Sequence, residues 1–151
     1  MLGSSEIPPG KKVSLFQNGR IMYLIDSDIL IALSKGQVSI QEKMTRAGLN
    51  NCAISEISLA ELYVGAYKTK SKRRESVLAF LEQLVAIIPI SSAIKKYALI
   101  RTQLEALGIR LEDMDLFIAA TALVNDYTLV THNTRHFSRI PGLKLEDWIE
   151  E

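Results

Sequence analysis

The stretch Ile21-Met-Tyr-Leu-Ile-Asp26-Ser-Asp-Ile-Leu-Ile-Ala-Leu33 decides the fold of this chain. Its opening residues, Ile21 to Ile25, form a continuous apolar run, which is typical of a β-strand buried on both faces of a sheet. Asp28 is expected to cap the helix that begins at Ile29, and Gly36 ends that helix. A buried strand that leads directly into a helix indicates a parallel α/β fold.

The same alternation of strand and helix continues along the chain. Further strands are predicted at Cys52–Ile54, Ile87–Ile90 and Thr128–Thr131. Apolar residues at helical spacing predict helices at Val38–Ala47, Ser71–Ala86 and Ser92–Leu107, and a further helix that starts at Ser58. The last helix is predicted to start at Asp113 or Asp115 and to run through an almost wholly apolar segment that ends at Val124. The tail, Leu143 to Glu151, is expected to add a strand residue or two and a short helix carrying Trp148. These elements predict an α/β/α domain with a central parallel sheet of about four to five strands.

Composition restricts the class of protein. The chain has 151 residues, 48% of them hydrophobic, which suits one compact domain. A net charge of +1 gives no overall basic field, so any contact with nucleic acid depends on a local patch. The single cysteine, Cys52, excludes an intramolecular disulfide and a thiolate zinc site, and it suits a reducing cytoplasm.

Two further observations concern the ends and the environment of the chain. No apolar run approaches the roughly 20 residues that a membrane helix needs, so we expect a cytoplasmic protein without a membrane contact. Residues 1–20 are rich in glycine, serine and proline, which indicates a flexible N-terminal extension to a folded domain at residues 21–151.

Three acids lie where a parallel sheet would bring them to one edge: Asp26 after the first strand, Glu61 in the helix after the second, and Asp115 at the start of the apolar helix. Each adjoins an apolar run, where an unpaired carboxylate is costly. Hard divalent cations take carboxylate oxygens as ligands. The sequence therefore predicts a metal site, for which phosphodiester hydrolysis is the natural chemistry.

Structural roles compete with these assignments. The spacing Ser58-Leu-Ala-Glu61 is also that of a capping box, which would place Glu61 in the first turn of its helix. Asp113 competes with Asp115 for the helix cap, and we assign the cap to Asp113. Glu56 is expected to lie outside the acid cluster. His132 and His136 are interpreted as surface residues, since two histidines without a third ligand make a poor zinc site.

Four ordered motifs resemble a PIN domain, and specifically the VapC toxins of bacterial and archaeal toxin–antitoxin pairs. They are Tyr23-Leu-Ile-Asp26-Ser-Asp-Ile-Leu, Ile54-Ser-Glu-Ile-Ser-Leu-Ala-Glu61-Leu-Tyr-Val-Gly65, Asp115-Leu-Phe-Ile-Ala-Ala-Thr-Ala-Leu, and Leu129-Val-Thr-His-Asn133-Thr-Arg-His-Phe. The resemblance implies a PIN-like fold and a Mg²⁺- or Mn²⁺-dependent endoribonuclease. It also implies a dimer that a cognate antitoxin holds inactive.

The resemblance carries the family's first three acids onto Asp26, Glu61 and Asp115. A fourth position, often aspartate after the last strand, holds Asn133 here, which removes one charge and leaves open whether one or two metals bind. Asn133 can still orient a water or a phosphate as a neutral hydrogen-bond partner. Arg135 and the run from Lys68 to Arg74, with Lys72, Arg73 and Arg74, are candidates for contacts to the RNA backbone.

Two other functions remain open at this point. A degenerate PIN domain could bind RNA or protein without cleavage, although all three acids are present. Asp26-Ser-Asp28 after a strand also fits the nucleophile motif of haloacid-dehalogenase phosphatases. Those enzymes need a catalytic lysine and a later acid pair, where this chain has Thr131-His-Asn133.

The helices Ser71–Ala86 and Ser92–Leu107 carry more apolar residues than one face against a small sheet requires, which predicts a homodimer. The residues behind this expectation are Val77, Leu78, Leu81, Tyr97, Ile100 and Leu104.

Overall fold

The computed structural model describes residues 19–150, so most of the predicted flexible extension lies outside the described residues. The strands are β1 (Tyr23–Ile25), β2 (Cys52–Ser55), β3 (Ala86–Ile88), β4 (Thr128–Val130) and β5 (Leu145–Glu146). The helices are α1 (Ser27–Ser34), α2 (Val38–Ala47), α3 (Glu56–Lys68), α4 (Lys72–Leu84), α5 (Ile94–Ala106), α6 (Asp113–Asn125) and α7 (Thr134–Phe137). Short 3₁₀ turns at Leu49–Asn51 and Ser91–Ala93 precede β2 and α5.

The strands form one parallel sheet in the order β3-β2-β1-β4-β5. The first strand of the chain is central, since Tyr23 pairs with Cys52 on one side and with Thr128 on the other. The predicted three-layer architecture with a parallel sheet is confirmed. Pro89, which has no N–H to donate, follows β3 at the sheet edge, as expected for proline.

Alternation along each central strand divides the core into two layers. Leu24 and Leu129 pack with α5 and α6 on one face of the sheet. Their neighbours Ile25 and Val130 pack with α1 to α4 on the other face. Because successive strand side chains point to opposite faces, β1 must be apolar at every position in order to bury both.

Helix α6 is the most deeply buried helix on its face, as its composition predicts. Its residues Leu116, Ile118, Ala119, Ala120, Thr121 and Ala122 are all buried. The polar Thr121 is accommodated because its hydroxyl donates to the carbonyl of Phe117 at 2.7 Å. This packing fixes the start of α6, and with it Asp115, against the sheet.

The predicted helix caps at α1 and α3 are wrong. Helix α1 starts at Ser27, with Asp26 as its N-cap. Helix α3 starts at Glu56, because Ser55 ends β2 and its hydroxyl accepts the N–H of Ser58 at 3.0 Å. Glu61 therefore lies in the second turn of α3, and its carboxylate takes no part in a capping box.

Two expectations further along the chain also fail. Asp113 does not cap α6: Glu112 occupies the N-cap position, and Asp113 Oδ1 instead accepts from Tyr97 and Arg101 at 2.8 and 3.2 Å. The tail forms β5 but no helix at Trp148. The indole N–H of Trp148 donates to Glu146 at 2.9 Å, and its ring packs on Tyr23 with centroids 5.2 Å apart. Within residues 19–150, no helix has the length and apolar character to cross a membrane.

Candidate metal centre

Four carboxylates lie close enough to repel one another at the carboxyl edge of the sheet. Asp26 follows β1, Asp28 is in the first turn of α1, Glu61 is in α3 after β2, and Asp115 is in the first turn of α6. Burial is the largest cause that raises the pKa of Asp26 and of Glu61, and neighbouring acids add to it: Asp28 and Glu61 for Asp26, Asp115 and Asp28 for Glu61. The fold thus places the three predicted acids at one edge of the sheet, and Asp28 lies at the same edge.

Asp26 is the most buried member of the cluster. Its Oδ1 accepts the N–H of Ser27 at 2.8 Å, and its Oδ2 accepts the hydroxyl of Thr131 at 2.8 Å. Burial raises the pKa of Asp26 to about 7, and the neighbouring Asp28 adds to the rise, while these two hydrogen bonds oppose it. The carboxyl is therefore held in position at a site that disfavours its charge.

Asp28 faces the end of β4 and does not cap its own helix. Its Oδ2 accepts the backbone N–H of His132 at 3.0 Å and lies 3.4 Å from the hydroxyl of Thr131. Its Oδ1 is buried and has no hydrogen-bond partner among the described residues. The predicted cap is wrong because Asp26, one residue before the helix, already fills that position.

The two helix-borne acids are half-buried, and each has one oxygen held by a neighbouring side chain. Glu61 Oε1 accepts the hydroxyl of Ser27 at 3.1 Å. Asp115 Oδ2 lies 3.1 Å from His136 Nε2. Burial is the largest cause that raises the pKa of both carboxyls, and for Asp115 the nearby His136 partly offsets the rise.

Three site residues were missed from the sequence: Ser27, Thr131 and His136. The position of Thr131 directly after a buried strand signals a hydroxyl at the same edge as Asp26, since the two strands are parallel neighbours.

His136 is interpreted from the sequence as a surface residue, and only the packing of α7 beside the start of α6 reveals its contact with Asp115. Burial raises the pKa of Asp115, and His136 partly offsets this rise through its charge and through a hydrogen bond. His132, in contrast, is exposed and lies 2.8 Å from Asp147.

Asn133 is not drawn into the acid cluster. Its side chain is exposed, and its backbone N–H donates to the hydroxyl of Thr131 at 3.1 Å. Glu56 accepts the N–H of Ile90 at 2.9 Å, on the β3 side of the sheet.

The basic candidates are exposed or half-buried side chains on α4 and α7. Arg135 is exposed on α7. Lys72 and Arg73 are exposed and Arg74 is half-buried at the start of α4, where Lys72 lies 3.7 Å from Glu75.

The donor set suits a hard divalent cation, although the side chains are not gathered around a single point. Within residues 19–150, no three acidic, histidine or cysteine side chains converge at ligand distances. The cluster nevertheless offers oxygen donors, mutual repulsion among carboxylates, and a buried oxygen at Asp28 that lacks a partner. A bound cation would take the oxygen donors as ligands, offset the repulsion among the carboxylates, and give the Asp28 oxygen a partner.

Comparison with known proteins defines the family. The PIN domain model matches residues 23–143, and the chain belongs to the PIN domain family. This membership excludes the haloacid-dehalogenase interpretation of Asp26-Ser-Asp28. Nucleases of this family generally depend on a divalent metal ion.

Individual relatives agree with this assignment. The chain is 38% identical over 132 residues to Ribonuclease VapC2 of Rickettsia felis, covering 85% of this chain and 98% of the relative. It is 30% identical over 132 residues to the tRNA(fMet)-specific endonuclease VapC of Shigella flexneri, with the same coverage of 85% and 98%. The crystal structure of VapBC2 from Rickettsia felis, bound to a DNA fragment from its promoter, matches with a TM-score of 0.78 at 36% identity. That match covers 85% of this chain and 100% of the matched chain.

The raised pKa of Asp26 predicts an unusual pH dependence for the metal-free protein. The folded state keeps a proton up to about pH 7 that the unfolded state releases near pH 4, so stability should fall as the pH rises between these values. At about 1.4 kcal/mol per unit, the loss from this group would reach up to about 4 kcal/mol. Asp26→Asn should reduce the slope, because the amide carries no proton to release.

Thermal unfolding in EDTA between pH 4 and pH 7 measures this effect. Glu42→Gln, at an exposed acid of α2, is the control and should follow the wild type. An Asp26→Asn variant with an unchanged slope would show that Asp26 ionises normally in the folded protein.

Proposed function

We propose that this chain is a divalent-metal-dependent endoribonuclease that hydrolyses RNA phosphodiester bonds and acts as the toxin of a toxin–antitoxin pair. The observation that carries the proposal is the set of carboxylates Asp26, Glu61 and Asp115 at the carboxyl edge of a PIN-domain sheet, where Glu61 lies close enough to repel both aspartates. Support comes from relatives named as VapC ribonucleases, which the chain matches over nearly their whole length.

In this proposal Asp26, Glu61 and Asp115 hold Mg²⁺ or Mn²⁺. The bound ion would polarise the scissile phosphate and lower the pKa of an attacking water. Thr131 and Ser27 fix the orientation of the Asp26 and Glu61 carboxylates through the hydrogen bonds described above.

Asn133, exposed and linked to Thr131 through its backbone N–H, would orient a water or a phosphate oxygen as a neutral hydrogen-bond partner.

The RNA backbone would contact basic side chains of α4 and α7. Arg73 and Arg74 line a groove of about 280 Å³ that reaches Glu61, and Lys72 stands at the start of the same helix. Arg135, on α7, is exposed in the segment that follows Asn133. Contacts from such side chains to phosphates depend on salt and give affinity without sequence preference.

The proposed protein partner is a cognate antitoxin. Solved structures similar to this chain are described as VapBC complexes and as a toxin–antitoxin complex. The groove beside Glu61 has an apolar lining that includes Leu30, Leu62 and Leu78. An antitoxin segment lying along it would place a basic or polar side chain near the acids and block the metal or the RNA. A cytoplasmic location follows from an RNA substrate and suits the single, buried Cys52.

We also propose a homodimer through the two helices expected from the sequence, although mostly through other side chains than those named. Leu78, Ile100 and Leu104, named from the sequence as surplus apolar residues, belong to the core of the chain itself. Val77, also named from the sequence, is exposed, and further exposed apolar side chains on or beside these helices are Phe80, Leu84, Ile94, Leu99 and Leu107, the last of them 74% exposed. Apolar surface of this extent favours a two-fold interface between identical chains.

Light scattering at micromolar concentration should give about 34 kDa, twice the 16.9 kDa of one chain. Leu99→Glu should shift the mass toward that of one chain, because it places a charge in the proposed interface. Thr102→Glu, at another exposed position on α5, shows whether any negative charge on this helix separates the two chains. A mass near 17 kDa for the wild type would refute the dimer and leave the nuclease assignment intact, because all three acids belong to one chain.

Substitution of the acids tests the proposed catalysis. Asp26→Asn and Asp115→Asn should each abolish Mg²⁺- or Mn²⁺-dependent cleavage of RNA, a loss of at least about 10²-fold, because each removes a charge that holds the ion. Folding should be preserved or improved in EDTA, since the repulsion among the carboxylates falls. Asn133→Ala should reduce cleavage less, because it removes a neutral group.

The assay is the initial rate of cleavage of a structured RNA, such as a tRNA, with and without EDTA. Glu56→Gln is the matched control, since it changes an acid in the first turn of α3 outside the cluster. Near wild-type turnover in either aspartate variant would contradict the assignment of that residue. Wild-type protein that binds RNA but does not cut it with either metal would indicate a degenerate PIN domain.

A further inference from the structure

The chain lacks an acid at the position after β4 where VapC-like sequences often carry one. That position holds Asn133, whose side chain is exposed and carries no charge. A cluster of three acids would therefore carry one negative charge fewer than the usual four. The structure contains another carboxylate at the same edge, that of Asp28.

The two oxygens of Asp28 have different surroundings. Oδ2 is fixed by the N–H of His132 at 3.0 Å and is 3.4 Å from the Thr131 hydroxyl. Oδ1 is buried and accepts no hydrogen bond from the described residues. One oxygen thus anchors the side chain to the end of β4, and the other is buried without a hydrogen-bond partner among the described residues. Thr131 also binds Asp26, so one hydroxyl connects the two aspartates.

Structural roles do not account for the charge of Asp28. The cap of α1 is already supplied by Asp26, which accepts the N–H of Ser27. The contact with His132 needs only one acceptor oxygen, and an asparagine would supply it without a buried charge. A buried polar atom without a partner destabilises the folded state, and more so when it is charged. Burial raises the pKa of Asp28, while His132 and the N–H of Ile29 lower it and so favour its charge. Oδ1 itself, however, is buried without a well-aligned hydrogen-bond donor among the described residues, which leaves room for a cation as its partner.

We propose that Asp28 is a ligand of the divalent cation, supplying through Oδ1 the carboxylate that Asn133 does not. This inference rests on the proposed nuclease function and extends its ligand set from three acids to four. The fourth carboxylate comes from the first turn of α1, two residues after Asp26, and the segment after β4 contributes the hydrogen bonds that hold it. Asp28 and Asp26 together would bind the cation from one short stretch of chain.

The direct test is the Mn²⁺ affinity of Asp28→Asn, measured by isothermal titration calorimetry. The amide has nearly the same volume and keeps an acceptor for the N–H of His132, so the variant removes the charge and leaves the anchor. We expect the dissociation constant for Mn²⁺ to rise at least about 10-fold, the lower end of what loss of even an outer partner of a metal site causes. Cleavage should fall with it at a fixed metal concentration.

Glu56→Gln is the matched control. Glu56 also lies in the first turn of a helix and accepts a backbone N–H, that of Ile90 at 2.9 Å, but it is outside the cluster. Its Mn²⁺ affinity should equal that of the wild type. Asp28→Ser, which keeps a small acceptor, replaces the amide variant if the latter does not fold.

The Mn²⁺ affinity and the folding of the Asp28 variants decide whether Asp28 is a ligand. Unchanged Mn²⁺ affinity in a folded Asp28 variant would overturn the proposal while the wild type still binds metal and cleaves RNA. Failure of both variants to fold in EDTA would show that the carboxylate is structural, which also overturns it. Wild-type protein that neither binds Mn²⁺ nor cleaves RNA would contradict the proposed function itself.

Discussion

The site depends on one physical constraint, the repulsion among carboxylates that the fold holds at one edge of the sheet. Burial and neighbouring acids raise the pKa of Asp26 to about 7, and the same causes raise that of Glu61. Without a cation, the folded protein must protonate these groups or bear their repulsion. A divalent ion removes that cost, so binding of metal and stability of the domain are linked.

The fold imposes this constraint through its most apolar elements. Strand β1 is central and buried on both faces, so Asp26 at its end cannot move away from the edge. Helix α6 is buried along most of its length and holds Asp115 at the same edge. Thr131, after β4, then ties Asp26 to its neighbours through its hydroxyl. The acids are thus positioned by elements whose displacement would expose the core.

Features that depend on long apolar runs could be predicted from the sequence. Strand β1, helix α2 with its end at Gly48, and the buried helix α6 are close to expectation, because a continuous or periodic apolar pattern determines them locally. Asp26 could be chosen from the sequence as a candidate metal ligand, because it directly follows a continuous apolar run. Its place in the fold agrees with the family match over residues 23–143.

Helix caps that depend on the exact residue at which the preceding strand ends could not be predicted from the sequence. A single position decides whether Asp26 or Asp28 caps α1, and whether Ser55 or Ser58 caps α3, yet both choices satisfy the same local preference. The contact between His136 and Asp115 is tertiary, since it joins residues on α7 and α6 that only packing brings together. Caps and such contacts are thus the parts of the site that required the structure.

Anomalous diffraction at the manganese edge, from crystals grown with Mn²⁺ and without an antitoxin, would test most directly whether the carboxylate cluster binds the cation. A bound ion should lie about 2.0–2.6 Å from oxygens of at least two of the acids Asp26, Glu61 and Asp115. Manganese found only elsewhere on the chain, with these carboxylates turned apart, would contradict the metal centre and the nuclease mechanism built on it.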